Sequence, residues 1–267
     1  MNDDNEFSHP MLSFCEGGNE TAAKFEKKLS TFEPGSDAWK EFLKTHCDSQ
    51  NHVVQTMSFQ EIHKSGDPEW LDFLFAHLQR ATVYTDRLSI ICAIGELGGF
   101  QHKEDYAPFL ESEDEHARMT ALFITLYLPR EEALAILVDK LNYDPSLAVR
   151  RSAAKRLVKL GSDAGLPLLL KEFHEDDQSY FSKSRCAADL AVLRAPEGLQ
   201  FLWQQIATHH SLSRQDRTYI LFAICDVFVK EGLELPPCER PADLPLELIF
   251  QRATDWLEAQ LAAIAEE

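Results

Sequence analysis

Few residues in this 267-residue chain have the types and spacing that chemistry would need. His46, Cys47, His52 and His63 are of metal-ligating types. A zinc site, however, draws its imidazoles and thiolates from recurring short spacings that converge on one tetrahedral point, and these four positions follow none of them. Capping or solvent-exposed roles are the expectation there. "HEDD" at 174–177 sets one imidazole beside three carboxylates but offers no second positioned histidine. His209 and His210 close a helical pattern, where imidazole complements the negative end of the helix dipole. An activated thiolate needs a neighbouring cation. Of Cys15, Cys47, Cys92, Cys186, Cys225 and Cys238, only Cys47 beside His46 and Cys186 beside Arg185 have one. There is no GxxxxGK[ST] phosphate cradle, no GxSxG elbow and no HExxH pair. No catalytic residue, metal or cofactor is assigned, and a non-enzyme is expected.

Binding chemistry has a better candidate. "DPSLAVRRSAAKRLVKLG" at 144–161 carries Arg150, Arg151, Lys155, Arg156 and Lys159 with no acid after Asp144. It lies in a chain with 44 acids against 26 bases, a net charge of -18. That balance argues against binding DNA, RNA or an anionic membrane, all of which depend on clustered cations. It suits a basic partner instead. The dispersed cysteines, the absence of a signal-peptide pattern and the lack of a membrane-length apolar run predict a cytoplasmic protein with reduced thiols.

The basic stretch recurs in form along the chain. Polar residues and an arginine lead into an apolar helical pattern at Arg87, Arg118, Arg150, Arg185 and Arg217, with steps of 31, 32, 35 and 32 residues. Counting from each arginine, positions +3, +4, +7 and +10 should lie on one helical face, and they are mostly apolar, as in Ile90, Ile91, Ile94 and Leu97, or Ala153, Ala154, Leu157 and Leu160. The Arg185 helix fits only when its anchor moves back one residue, because its +4 position is Asp189. Partner helices are expected at 69–80, 103–111, 130–142, 163–174 and 196–208, with Asp144 as an N-cap and Pro145 in a first turn. Such a period marks stacked helical hairpins. The expected fold is all-α: a right-handed α-solenoid of about five hairpins, capped by helices at both ends.

The pattern D-P-x-x-x-V-R followed by an alanine-rich helix resembles the HEAT repeat, in particular its short bilin-lyase-like type. The resemblance covers about 65–230. It implies that turn acids and anchor arginines interact and help stack neighbouring hairpins: Asp144 with Arg150, and more loosely Asp86 with Arg87 and Asp114 with Arg118. It implies little about function, because solenoids host many. Iron-binding HEAT hydroxylases would need paired His-Glu motifs. Only "EH" at 115–116 and "HE" at 174–175 occur, in opposite order, so that activity is rejected. Residues 1–18 are expected to be poorly ordered, 19–65 to form an N-terminal helical cap, 66–230 the repeats, and 231–267 a proline-rich linker with a capping helix.

In HEAT-type stacks the second helices line the concave groove, and positions +1, +5 and +9 face it. This assigns Arg151, Lys155 and Lys159 to mid-groove beside Phe123 and Tyr127, with Glu96, Phe222 and Asp226 also lining it. Arg150 stays on the apolar face as a structural residue. Charge runs on helices are commonly solvated faces. Arginine and aromatic residues in a groove are also the types that dominate binding energy. The leading expectation is a non-catalytic protein–protein interaction module, an inhibitor- or antitoxin-like protein or a regulatory adaptor. Its partner would be basic overall, with an acidic segment for the groove. The alternatives are a bilin-lyase-like enzyme and a HEAT-like DNA glycosylase, the latter opposed by the net charge.

Overall fold

The computed structural model describes residues 16–175, 178–234 and 246–266. The proline-rich linker, Cys15, Cys238, the last two acids of "HEDD" and most of the stretch expected to be poorly ordered lie outside these ranges. Among the described residues every regular element is helical. The helices are α1 (Glu16–Leu29), α2 (Asp37–Cys47), α3 (His52–Lys64), α4 (Leu71–Arg80), α5 (Tyr84–Glu96), α6 (Lys103–Leu110), α7 (Glu115–Ala121), α8 (Arg130–Tyr143), α9 (Leu147–Lys159), α10 (Leu166–Phe173), α11 (Tyr180–Val192), α12 (Pro196–Ala207), α13 (Arg214–Lys230) and α14 (Leu246–Glu266). Short 3-10 turns extend the starts of α4 and the ends of α7 and α12. The fold is an α-solenoid of helical hairpins: α4/α5, α6/α7, α8/α9, α10/α11 and α12/α13.

Two compact units divide the chain, Met1–Pro129 and Arg130–Glu267. The first holds α1–α3 and two hairpins. In it α3 packs on α5, and α5 on α7. The helix α3 runs a full 13 residues from its cap, where the Asn51 side chain accepts from the N–H groups of Val53 and Val54. Its Phe59 and Ile62 are fully buried. The second unit holds three hairpins and α14. There α9, α11 and α13 lie side by side, while α14 packs on α12 and α13.

The periodic apolar positions form the core. Ile90, Ile91 and Ile94, Ala121, Leu122 and Thr125, and Ala153, Ala154 and Leu157 are all buried. Small residues let neighbouring hairpins approach closely. A methyl group at Gly198 on α12 would stand 2.6 Å from the Ala187 carbonyl oxygen on α11.

The second helices share a stop signal as well. Gly98, Gly161 and Gly232 take left-handed backbone angles just after α5, α9 and α13, and the next residue's N–H bonds back to Ile94, Leu157 or Phe228. This closes orphan carbonyls at the helix end. After α11 the same position is Arg194, at φ 61°.

One expected boundary is corrected. Ser146, not Asp144, caps α9, and the helix begins at Leu147 rather than at Pro145. The Ser146 hydroxyl accepts from the N–H groups of Ala148 and Val149, while the buried Asp144 carboxylate accepts from the Ser146 N–H and shapes the turn before the helix.

Candidate functional site

Anchor arginines tie second helices to the turns that precede them. Arg87 Nε donates to Ala81 O at 2.7 Å, Arg118 to Ser112 O at 2.8 Å, and Arg150 to Asp144 O at 2.7 Å. In each case the side chain reaches back six residues. Carbonyls there have no helical partner, and a guanidinium supplies several donors in a fixed fork. Arg87 also donates to the Asp114 carboxylate at 2.7 Å, joining the first hairpin to the turn of the second. That bond holds the Asp114 carboxyl below its ordinary pKa. Asp86, expected to meet Arg87, faces His52 on α3 instead, at 3.2 Å. Arg118 meets the backbone of Ser112 and Glu113.

Arg185 and Arg217 differ from the other three. Arg185 pairs with Asp226 across to α13 at 3.3 Å. The Arg217 side chain has no hydrogen bond or ion pair among the described residues. The reason on α11 is register. Cys186 and Leu190, placed in the groove by counting from Arg185, are fully buried. The accessible row runs one residue earlier, through the exposed Phe181 and the half-buried Arg185, with the buried Asp189 continuing it beneath the surface.

The side-by-side second helices of the second unit thus present one face. From α9 come Arg151, Lys155 and Lys159. From α11 come Phe181, Arg185 and Asp189, and from α13 Tyr219, Phe222, Asp226 and Lys230. Glu172 at the end of α10 and Glu175 just after it complete the charges. Arg151 is paired with Glu175, and its Nε lies 3.7 Å from Glu172 Oε2. Lys155 Nζ donates to Glu172 Oε1 at 2.9 Å, and that glutamate is only 6% exposed. Lys230 donates to the buried Asp189 at 2.8 Å and lies 3.6 Å from Asp226.

Four of the five cations on the face are therefore neutralised within the unit. Lys159 is the exception: it is exposed and has no ion-pair partner among the described residues. Desolvation by the surrounding protein holds its ammonium below the ordinary lysine pKa. Lys230 and Arg156 push the same way, against Asp226 and Asp189. Water reaches the side chain, but it lacks a counter-ion among the described residues. At the other end of the face Phe181 and Tyr219 contact each other with ring centroids 5.0 Å apart. Phe181 and Phe222 remain 45% and 41% exposed.

Glu96, Phe123 and Tyr127 belong to the first unit. Tyr127 lies flat over Gly95 on α5, so closely that no β-carbon would fit there. Burial, with Cys92 and Glu96 close to its hydroxyl, raises its pKa well above the usual phenol value. Its ring is committed to packing α5, and Phe123 is half-buried.

Sequence reasoning missed Phe181, Tyr219, Asp189 and Lys230 as members of one face. The 35-residue step and the acid at the +4 position of α11 were the available signal.

The positions screened for chemistry are dispersed. Cys47 and Cys186 are fully buried. Burial drives the Cys47 thiol well above its usual pKa and pushes that of Cys186 up to about 12, so neither gives a thiolate nucleophile. His46 stacks on Phe42, with Nδ1 2.7 Å from the Phe42 carbonyl oxygen, while His52 turns to Asp86. Burial holds the half-buried His63 below its usual pKa. These residues do not converge. No helix among the described residues is long and apolar enough to cross a membrane.

Residues 106–191 match the family model described as HEAT repeats, a span that runs from α6 to α11 and includes the basic helix α9. The match does not distinguish the bilin-lyase-like subtype. No curated protein matches the chain.

Proposed function

We propose that this HEAT-repeat chain is a non-catalytic interaction module whose second unit receives a protein segment bearing carboxylates. HEAT repeats commonly mediate protein–protein interaction, and the matched repeats supply α9 and α11 of the proposed face. The observation that carries the reading is Lys159. It is the one cation of the face without a carboxylate among the described residues, and it stands where desolvation already disfavours an unpaired charge. A partner carboxylate would supply the missing counter-ion. Phe181, Tyr219 and Phe222 give the apolar contact that such charge pairing lacks, and aromatic anchors of this kind dominate binding energy.

The remainder of the partner's surface is basic. A chain of net charge -18 repels an acidic protein and steers a basic one toward itself. Inhibitor- or antitoxin-like capture of a basic protein fits this balance, as does a regulatory adaptor, in both cases in the cytoplasm and without nucleic acid or membrane.

The test is affinity capture from native lysate with mass spectrometry. It compares the wild type with Lys159→Glu and with Lys171→Glu, an exposed lysine on α10 that serves as the charge control. A stoichiometric partner retained by wild type and Lys171→Glu but reduced at least tenfold by Lys159→Glu supports the reading. Equal retention by all three overturns it.

A further inference from the structure

Away from this face, the described residues hold one group of side chains with metal-ligating atoms close together. His209 and His210 follow α12, Glu247 stands in the first turn of α14, and their ligand atoms all lie within 4.8 Å of one another. We propose that these three residues bind a zinc ion that fastens α14 to the end of α12.

His209 is already oriented for the role. Its ring is buried, packed edge-on against Phe250 at 5.0 Å, and its Nδ1 lies 2.7 Å from the Ile206 carbonyl oxygen. A carbonyl only accepts, so Nδ1 carries the proton and Nε2 is left with its lone pair. Metal-bound histidines commonly have their tautomer fixed by this kind of second bond. Nε2 faces Glu247 Oε1 at 3.4 Å, long for a hydrogen bond. Two ligand atoms each about 2.05 Å from zinc at tetrahedral angles stand about 3.3 Å apart, so the same spacing suits a shared metal.

The third donor is adjustable. His210 is exposed, stacks on His209 with ring centroids 3.7 Å apart, and makes no side-chain hydrogen bond among the described residues. Closing the set from its present spread to tetrahedral spacing requires movements of roughly 1–2 Å. These fall on His210 and on Glu247, whose side chain is 76% exposed, and the buried His209 can stay where it is. Two imidazoles and one carboxylate are a donor set for zinc. Calcium and magnesium prefer all-oxygen shells. Solvent at the open side supplies a fourth ligand. The ion would bridge two elements 37 residues apart in sequence, so its binding is coupled to the docking of α14.

The experiment uses the full chain, freed of metal by chelator and dialysed, and titrates zinc chloride by calorimetry and thermal unfolding. Wild type, His210→Ala and Glu247→Gln are compared. Both substitutions are at exposed positions, and circular dichroism confirms that the helices persist. The expected result is one zinc per chain and a melting temperature raised by about 3–6 °C at tenfold excess over the dissociation constant. Each variant loses at least tenfold in affinity, and cobalt gives a tetrahedral visible spectrum only with the wild type. The proposal is overturned if the wild type takes up no zinc, or if both variants bind it as tightly as the wild type, which would place the ion elsewhere on the chain.

Discussion

Removing both cations that hold Glu172 should destabilise the second unit by about 3–5 kcal/mol, the usual cost of leaving a buried charge unpaired. The carboxylate is 6% exposed, with Lys155 Nζ at 2.9 Å and Arg151 Nε at 3.7 Å. At an effective dielectric constant of about 20, these separations correspond to gross attractions of about 6 and about 4 kcal/mol. Desolvation of Glu172 offsets most of that. The two cations are themselves 33% and 27% exposed, which reduces it further. Lys155→Met alone leaves Arg151 in reach and should cost about 1–2 kcal/mol. The double variant Arg151→Met/Lys155→Met leaves the charge stranded. Adding Glu172→Gln then removes that charge and should restore most of the loss.

Urea unfolding followed by far-UV circular dichroism measures all three, with the slope checked for constancy before midpoints are compared. A double variant within about 1 kcal/mol of wild type, or a triple variant no better than the double, would refute the reasoning. There is a practical consequence. Reversing charge at Arg151 and Lys155 would set two new acids beside Glu172 and Glu175, so loss of a partner from such a variant would not locate the binding surface. Lys159 carries no such structural duty, and the capture experiment therefore rests on it.

Two further outcomes follow from local features. Arg194→Gly should be about 1 kcal/mol more stable than Arg194→Ala, because both lose the ion pair with Glu231 and the contact over Trp256 but only glycine relieves the left-handed angle; equal midpoints in urea would show that no strain is held there. The lowered Lys159 pKa means that the unfolded chain binds the proton more tightly than the folded one. Stability relative to Lys159→Met should therefore rise with pH between the folded value and the unfolded lysine value of about 10.4. Unfolding midpoints of the two proteins that run parallel across that window would contradict the desolvation.

What the sequence revealed, and what it concealed, divides by range. Helix positions depend on periodicity within a dozen residues, and the +3, +4, +7 phase placed α5, α9 and α13 from their arginines. Caps are decided by one residue, and at 144–147 three turn-forming candidates stood in a row: Asp144, Pro145 and Ser146. The one whose hydroxyl reached two N–H groups marked the helix start. The α11 register was hidden for a different reason. An acid at a nominally buried position counts against burial unless it has a partner, and the partner of Asp189 is Lys230, 41 residues away on α13. The candidate face was obscured in the same way. Arg151 and Lys155 read as free cations because Glu172 and Glu175 belong to another helix and its turn, and no local spacing rule connects them.

The same distinction between near and far pairing bears on how these repeats are specified. Arg87, Arg118 and Arg150 bond to carbonyls six residues back, a local geometry that any repeat can copy without regard to its neighbours. In α11 that bond is missing: Ser184, one residue before Arg185, is the buried residue that takes the anchor place, its hydroxyl donating to the Tyr180 carbonyl. The helix is held instead by long-range charges, Arg185 to Asp226 and Asp189 to Lys230, and it ends on a strained arginine where α5, α9 and α13 end on glycine. Arg217 on α13 lacks the carbonyl bond as well, but α11 combines that loss with a left-handed arginine stop and with charge pairs to α13, which indicates a helix adapted to its position rather than to its period. Repeats under packing demands alone tend to share their caps and anchors. A helix that gives up the carbonyl bond and the glycine stop while keeping its core, and that shares a face with the unpaired Lys159, is where selection for a bound partner would be expected to override selection for the repeat.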